Sequence, residues 1–155
     1  KKYNSVLVAE MTLTDKNEVV LIITPDGKQE GVLPTEKLYD SKPELDNWII
    51  KKFRPQKDKI SLNYDGIEIP SSDIEIIPEL DKERGKVNIK VFIKNMNSDI
   101  KKYQESSFLY LHHILGEYNT ITKVGNIEYH HLENDKSVVN GISILELRKL
   151  IEKDT

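Results

Sequence analysis

All four histidines fall in two doublets, His112-His113 and His130-His131, and imidazole is the commonest metal ligand. Two such pairs invite a metal site, but geometry opposes it. Neighbours on a helix diverge by about 100°, and neighbours on a strand point to opposite faces. One imidazole from each doublet is therefore the most a site could use. Glu117 would be the third ligand, with no His-Glu-x-x-His spacing behind the set. On a helical wheel His113 faces solvent and His112 sits at the edge of the apolar stripe. The sequence implies no metal and no cofactor.

Carboxylates cluster at Glu68, Asp73, Glu75, Glu79, Asp81 and Glu83. Paired acids can divide acid and base roles when their environments separate their pKa values. Here Asp73 and Glu75 alternate with Ile74 and Ile76, as the solvated face of a strand should. Glu-x-Lys, which a metal-dependent nuclease would carry on a strand, occurs nowhere in the chain. There is no Gly-x-Ser-x-Gly elbow either, and Ser106-Ser107 reads as a pair of small packing positions. No catalytic residue is assigned.

The basic run Lys51, Lys52, Arg54, Lys57 and Lys59, beside Trp48 and Phe53, is the best surface candidate. Lysine and arginine neutralise phosphates, and aromatic rings stack on bases. On a strand, Trp48, Ile50, Lys52 and Arg54 share one face, and Ile49, Lys51 and Phe53 the other. Splitting the aromatics this way favours anchoring at least one ring in the core. Basic side chains on an edge strand also prevent unwanted pairing, so nucleic acid is the weaker reading. Trp48, Lys52 and Arg54, together with Glu117, are the candidate binding residues.

The elements that must position these residues follow from hydrophobic period and turn chemistry. Ser5–Leu13 and Val19–Ile23 read as strands. Pro25-Asp26-Gly27-Lys28 between them and the next element is a tight turn, with too little glycine for a phosphate loop. Pro34 suits the first position of a short helix, 34–39, running towards Leu45. Trp48–Phe53 is a strand ended by Pro55, and Ile60–Tyr64 meets Asp65-Gly66, a hairpin turn returning through Ile67–Ile69. Asp73–Ile77 continues the sheet. Lys86–Asn95 alternates most clearly, with Val87, Ile89, Val91 and Ile93 on one side and Asn88, Lys90 and Lys94 on the other.

From Asn97 or Ser98 the period becomes 3.6, with Ile100, Tyr103, Ser107, Leu111, Ile114 and Tyr118 on one stripe. Gly116 is the expected end of this helix. Thr120–Thr122 and Ile127–Leu132 read as two short strands across a turn at 123–126. Ser143 with Glu146 forms a capping box for a last helix, and Ile142 against Leu147 forms its hydrophobic staple.

Composition bounds the rest. The chain has 155 residues, 37% hydrophobic and 32% charged, which fits one globular domain. All six prolines lie at or before Pro78, yet neither half alone offers a good core, so one domain over 1–155 is expected. The net charge of −3 argues against general attachment to nucleic acid or anionic membrane. The absence of cysteine excludes disulfides, thiolate metal sites and a cysteine nucleophile. No apolar run is long enough to span a bilayer. The chain begins Lys1-Lys2 without Met, which is compatible with a cleaved leader upstream. A cytoplasmic location is the expectation.

Three stretches together resemble a bacterial family, domain of unknown function family 695. The first is the Thr24–Gly27 turn leading through Leu33 and Leu38 to Trp48-Ile49-Ile50-Lys51-Lys52-Phe53-Arg54-Pro55. The second is Tyr64-Asp65-Gly66-Ile67-Glu68-Ile69, with Asp73-Ile74 and the alternating strand after it. The third is Ile114-Leu115-Gly116-Glu117, then Val124-Gly125 and Ile127. The region spans about Val19 to Ile151, and the His112-His113 doublet departs from the family's pattern. The resemblance implies a compact bacterial α+β protein without an established activity. It also points faintly to regulation, through members joined to domains like regulators of ribonuclease E.

The expected fold is α+β: a mainly antiparallel, twisted sheet with one long helix and a C-terminal helix packed on one face. The favoured function is a non-enzymatic binding or regulatory module acting through a protein partner. The alternative is a hydrolase or nucleic-acid-processing protein using Glu117, a histidine and the basic strand 51–59.

Overall fold

A β-hairpin followed by a helical crossover recurs along the chain and organises each of its parts. The computed structural model describes residues 6–58, 63–64, 66–96 and 99–153, and the chain divides into two units, Lys1–Pro55 and Gln56–Thr155. The fold is mixed α+β.

In the first unit, β1 (Val8–Leu13) runs antiparallel to β2 (Val19–Thr24). The Thr14 hydroxyl closes the turn between them by accepting the Lys16 and Glu18 N–H groups at 3.2 and 3.1 Å. The Pro25–Lys28 turn follows, with Lys28 N donating to Pro25 O at 3.1 Å. Asp26 and Gly27 both take positive φ, 51° and 76°, which short polar residues and glycine tolerate. Then comes α1 (Val32–Asp40), which packs mainly on β2 and on β3 (Trp48–Lys52). The crossover makes β3 parallel to β2, giving the order β1-β2-β3.

The second unit opens with a small hairpin, β4 (Asn63–Tyr64) and β5 (Ile67–Glu68), turned by Gly66 at φ 79°. Next, β6 (Ile74–Asp81) pairs antiparallel with β7 (Lys86–Lys94). The chain crosses through α2 (Ile100–Leu115) and α3 (Glu117–Lys123) to β8 (Val124–Leu132), parallel to β7. A final helix, α4 (Ile144–Lys153), packs on α2 and β6.

The core of this unit is the inward row of β7, Val87, Ile89, Val91 and Ile93, joined by Ile74 and Ile76 of β6. Tyr103, Tyr110, Leu111, Ile114 and Leu115 come down from α2, and Ile144, Leu147 and Ile151 from α4. The outward row of β7 carries Asn88, Lys90, Phe92 and Lys94, as the alternation requires.

Several sequence expectations need correction. One mainly antiparallel sheet is replaced by two three-stranded sheets, each joining an antiparallel hairpin to a parallel third strand. The reason is the helical crossover, which returns the chain in the direction it left. Thr120–Thr122, read as a strand from its β-branched residues, belongs to α3. There the Thr120 and Thr122 hydroxyls donate to the carbonyls of Gly116 and Tyr118, one turn back, at 2.8 and 2.7 Å. The expected turn at 123–126 is accordingly the end of α3 and the start of β8. Helix α1 begins at Val32, so Pro34 is its third residue, still within the turn whose N–H groups need no helical partner. Lys59, Ile60–Leu62, Asp65 and the Asn97–Ser98 helix start lie outside the described residues.

Other expectations hold. Gly116 ends α2 at φ 80°, a value glycine allows. The capping box of α4 is closed in both directions: Glu146 N donates to Ser143 Oγ at 3.2 Å, and Ser143 N donates to Glu146 Oε2 at 2.8 Å. Those donations hold the Glu146 carboxyl below the usual glutamate range, the Ser143 backbone first and its hydroxyl second. A carboxyl lowered in the folded state stabilises fully above its unfolded value, and that contribution fades as pH falls through the folded one. Ser143→Ala should therefore lower the melting midpoint by a few degrees at neutral pH, and by less below the glutamate range. Thermal melts of both proteins across acidic and neutral pH check this; equal loss at all pH values would remove Glu146 from the account.

Candidate functional site

Strand register assembles the first unit's sheet into rows. Cross-strand partners share a face, so Ala9, Ile23 and Lys52 form one row, Met11, Leu21 and Ile50 the next, and Leu13, Val19 and Trp48 the third. Eight of these nine residues are apolar. A face of this composition ought to be covered, yet Met11 is 69% exposed, Leu13 65% and Trp48 39%. Helix α1 covers the face only in part, for two reasons. It is short, and its buried side chains are the small Val32 and Thr35, while Leu33 and Leu38 stay exposed.

The result is an open groove of about 690 Å³. Leu21, Ile23 and Ile50 form its floor, Leu7, Val8 and Ala9 one wall, and Pro34, Leu38 and Ser41 the other. Its size is in the range of ligand-binding clefts, about 300–1,000 Å³, and its lining is mainly apolar. Lys37 and Lys42 reach its rim. The Lys42 ammonium also lies 4.0 Å from the centre of the Tyr39 ring, with Lys52 at 5.2 Å. Each is a cation–π contact, and together they bring two like charges to one ring. Among the described residues, Lys37, Lys42 and Lys52 have no carboxylate within salt-bridge distance.

Trp48 and Lys52 thus lie on one face, with Ile50 between them, as the alternation predicted. Arg54 does not join them. Phe53 takes φ 61° just after β3, its N–H donating to Ile23 O at 2.8 Å, and this breaks the two-residue alternation. Phe53 becomes buried, and Arg54 turns to Glu10, which the register places on the opposite face from Trp48. Arg54 Nε and Nη2 both donate to Glu10 Oε1, at 2.8 and 2.6 Å, and Nη2 also reaches Asp26 Oδ1 at 2.9 Å. The guanidinium ties β1, the 25–28 turn and the end of β3 together. It is a structural clamp.

Glu117 lies in the second unit, at the first position of α3, and is fully buried. His112 is buried with it, its Nε2 3.8 Å from Glu117 Oε1, deeper than the stripe edge expected for it. His130 and His131 are exposed and lie on opposite faces of β8; His130 stacks on Phe92 at 4.9 Å. Among the described residues no three His, Asp or Glu side chains are grouped as metal ligands. Glu79 lies outward and exposed on β6, whereas Glu75 is half-buried rather than solvated, its Oε2 accepting the Val138 N–H at 2.6 Å, and Asp81 is held below the usual aspartate range by the Arg84 guanidinium. A second hollow, about 390 Å³, is lined by Gln104, Glu105, Phe108, Leu109 and Tyr129. Burial pushes the Tyr129 hydroxyl upward, against a hydrogen bond with Ser107. This hollow carries no convergent charge.

Sequence reasoning passed over Met11, Leu13, Lys37, Leu38 and Lys42. The strand residues could have been found by aligning the two hairpin strands, since a buried β2 implies an apolar partner face on β1. The lysines could not, because their convergence depends on how α1 sits.

Arg54→Ala should lower stability by about 1–2 kcal/mol, since a charged group with several hydrogen bonds is removed from a partly buried site. Denaturant melts at low and high salt should show the larger loss at low salt; an unchanged midpoint would mean the clamp contributes nothing. No protein-family model matches the chain, and no curated protein or solved structure matches it either.

Proposed function

We propose that the chain is a non-enzymatic protein-binding module whose contact surface is the partly covered apolar face of the first unit. One observation carries this reading: Met11, Leu13 and Trp48 are exposed together on the face that also floors the groove. Scattered apolar residues on a surface are ordinary, but a contiguous apolar patch marks an interaction site. Tryptophan adds to the argument, being enriched where binding energy concentrates. Of the sequence candidates, Trp48 and Lys52 belong to this surface, while Arg54 and Glu117 are held in structural contacts.

A regulatory or adaptor-like role, a cytoplasmic location and the likeness to family 695 belong to the same proposal, supported by the residue patterns alone. No helix among the described residues is long and apolar enough to cross a membrane. The hydrolase or nucleic-acid-processing alternative draws on the His112–Glu117 pair. Both side chains are buried, so a substrate would have no direct approach to them.

The test is affinity capture from native lysate with the wild-type chain and with Met11→Glu/Leu13→Glu, each with and without nuclease. Both positions are largely exposed, so the double variant should fold, with an unchanged circular dichroism spectrum. The expected result is a stoichiometric protein partner that survives nuclease and is lost, by about tenfold or more, in the double variant. A partner captured equally by both chains, or released by nuclease, would overturn the assignment.

A further inference from the structure

Each unit repeats one topology: a β-hairpin, a helical crossover, and a third strand parallel to the second, in spatial order first-second-third. The sequence shows no such repeat; the correspondence lies in the backbone. It pairs β1 with β6, β2 with β7, β3 with β8, and the crossover helix α1 with α2. The second unit also carries β4, β5, α3 and α4, which have no counterpart in the first. Of these, α4 packs on both α2 and β6 and buries Ile144, Leu147 and Ile151.

The hairpin registers show where a counterpart of α4 would lie. Matched by the rows that face the crossover helix, Leu13/Val19 corresponds to Leu80/Val87, Met11/Leu21 to Pro78/Ile89, and Ala9/Ile23 to Ile76/Val91; the second hairpin carries one further pair, Asp81/Lys86, before its turn. Leu80 and Leu13 are both exposed, as positions at the open end should be. Ile76, by contrast, is fully buried and bridged to Ile142, just ahead of α4. Its equivalent, Ala9, is exposed and lines the groove, with Leu7 and Val8 beside it and Leu38 and Ser41 of α1 across from it. The groove therefore occupies, between β1 and α1, the position that α4 fills between β6 and α2.

We propose that this groove receives an amphipathic helix of a partner protein, with carboxylates facing Lys37, Lys42 and Lys52. The internal template supplies the shape. In α4 the buried residues recur at i, i+3 and i+7, so a helix with such an apolar stripe is the occupant this layer geometry accepts. The charge follows from the three lysines, two of them converging on Tyr39, and none with a carboxylate in salt-bridge distance among the described residues. A helix bearing acidic residues along one edge would neutralise them, whereas a basic one would add to their repulsion. The inference rests on the protein-binding reading above and narrows it to one kind of partner.

The experiment is selection on the full chain of displayed helical peptides that share a Leu/Ile stripe and are randomised at the flanking polar positions. The enriched peptides are then synthesised and measured by fluorescence anisotropy, with Trp48 emission as a second readout, Trp48 being the sole tryptophan. Enrichment of Asp and Glu is expected. So are binding about tenfold weaker to Leu38→Glu, and a preference reversed towards Lys-bearing peptides by Lys37→Glu/Lys42→Glu. Enrichment of neutral or basic positions, or of no peptide, overturns the proposal. Self-association of the chain that Leu38→Glu abolishes makes a second copy the occupant and overturns it too. Displacement of a dye by laurate without peptide enrichment points to a small amphiphile and has the same consequence. In none of these cases does the capture result with Met11→Glu/Leu13→Glu change, so failure here and failure of the protein-binding reading are read separately.

Discussion

The apolar face of a three-stranded sheet has to be covered, and one helix of nine residues cannot do it. Three strands about 4.8 Å apart, each rising about 3.3 Å per residue, present a surface longer than a helix of that length at 1.5 Å per residue. The second unit meets the requirement with α2 from the crossover and α4 from the C-terminal segment. Its central strand β7 is consequently sealed on one side, with Val87, Ile89, Val91 and Ile93 all buried. Among the described residues the first unit has α1 alone for this purpose, and β1 keeps its apolar side chains in the open. The difference between the units therefore lies in the covering layer, and the groove is what incomplete covering leaves.

How much of this was legible follows from how local each determinant is. The alternation of β7, the glycine that ends α2 and the Ser143–Glu146 box are set by residues within a few positions of one another, and all three appear in the structure as the sequence predicts. The parallel pairings of β3 and β8 depend on a crossover and a partner strand far away in sequence, so no local pattern encodes them. Thr120–Thr122 shows the limit of propensity: β-branched residues favour strands, but the restart after Gly116 and the threonine hydroxyl bonds to the preceding turn decide for helix.

For the site the division is similar. Trp48 and Lys52 were legible because they lie inside a regular strand, where alternation holds. Arg54 was not, because a single buried aromatic residue with positive φ ends the alternation one position earlier. Glu117 stood out as a charged residue close in sequence to the His112-His113 doublet, but its burial against His112 depends on how α2 and α3 meet and could not be read locally.

The charges of the two sheets differ in a way that separates stability from recognition. On the wet face of the second unit, Lys86 pairs in register with Asp81, and Lys90 lies beside Glu128, so opposite charges meet across strands as a stable solvated face requires. Arg84 and Asp81 add a close pair at 2.6 Å. Around the groove of the first unit the arrangement is different: Lys37 and Lys42 line it, and no carboxylate does among the described residues. Lysine stems can lie along apolar surface while their ammonium groups stay in water, so this placement carries little cost in the free chain. What it does is set a field at the mouth of an apolar cleft, favouring one sign of approaching charge. Apolar burial would supply the affinity there and the lysines the choice among partners, which is the division of labour that charge complementarity at an interface normally performs.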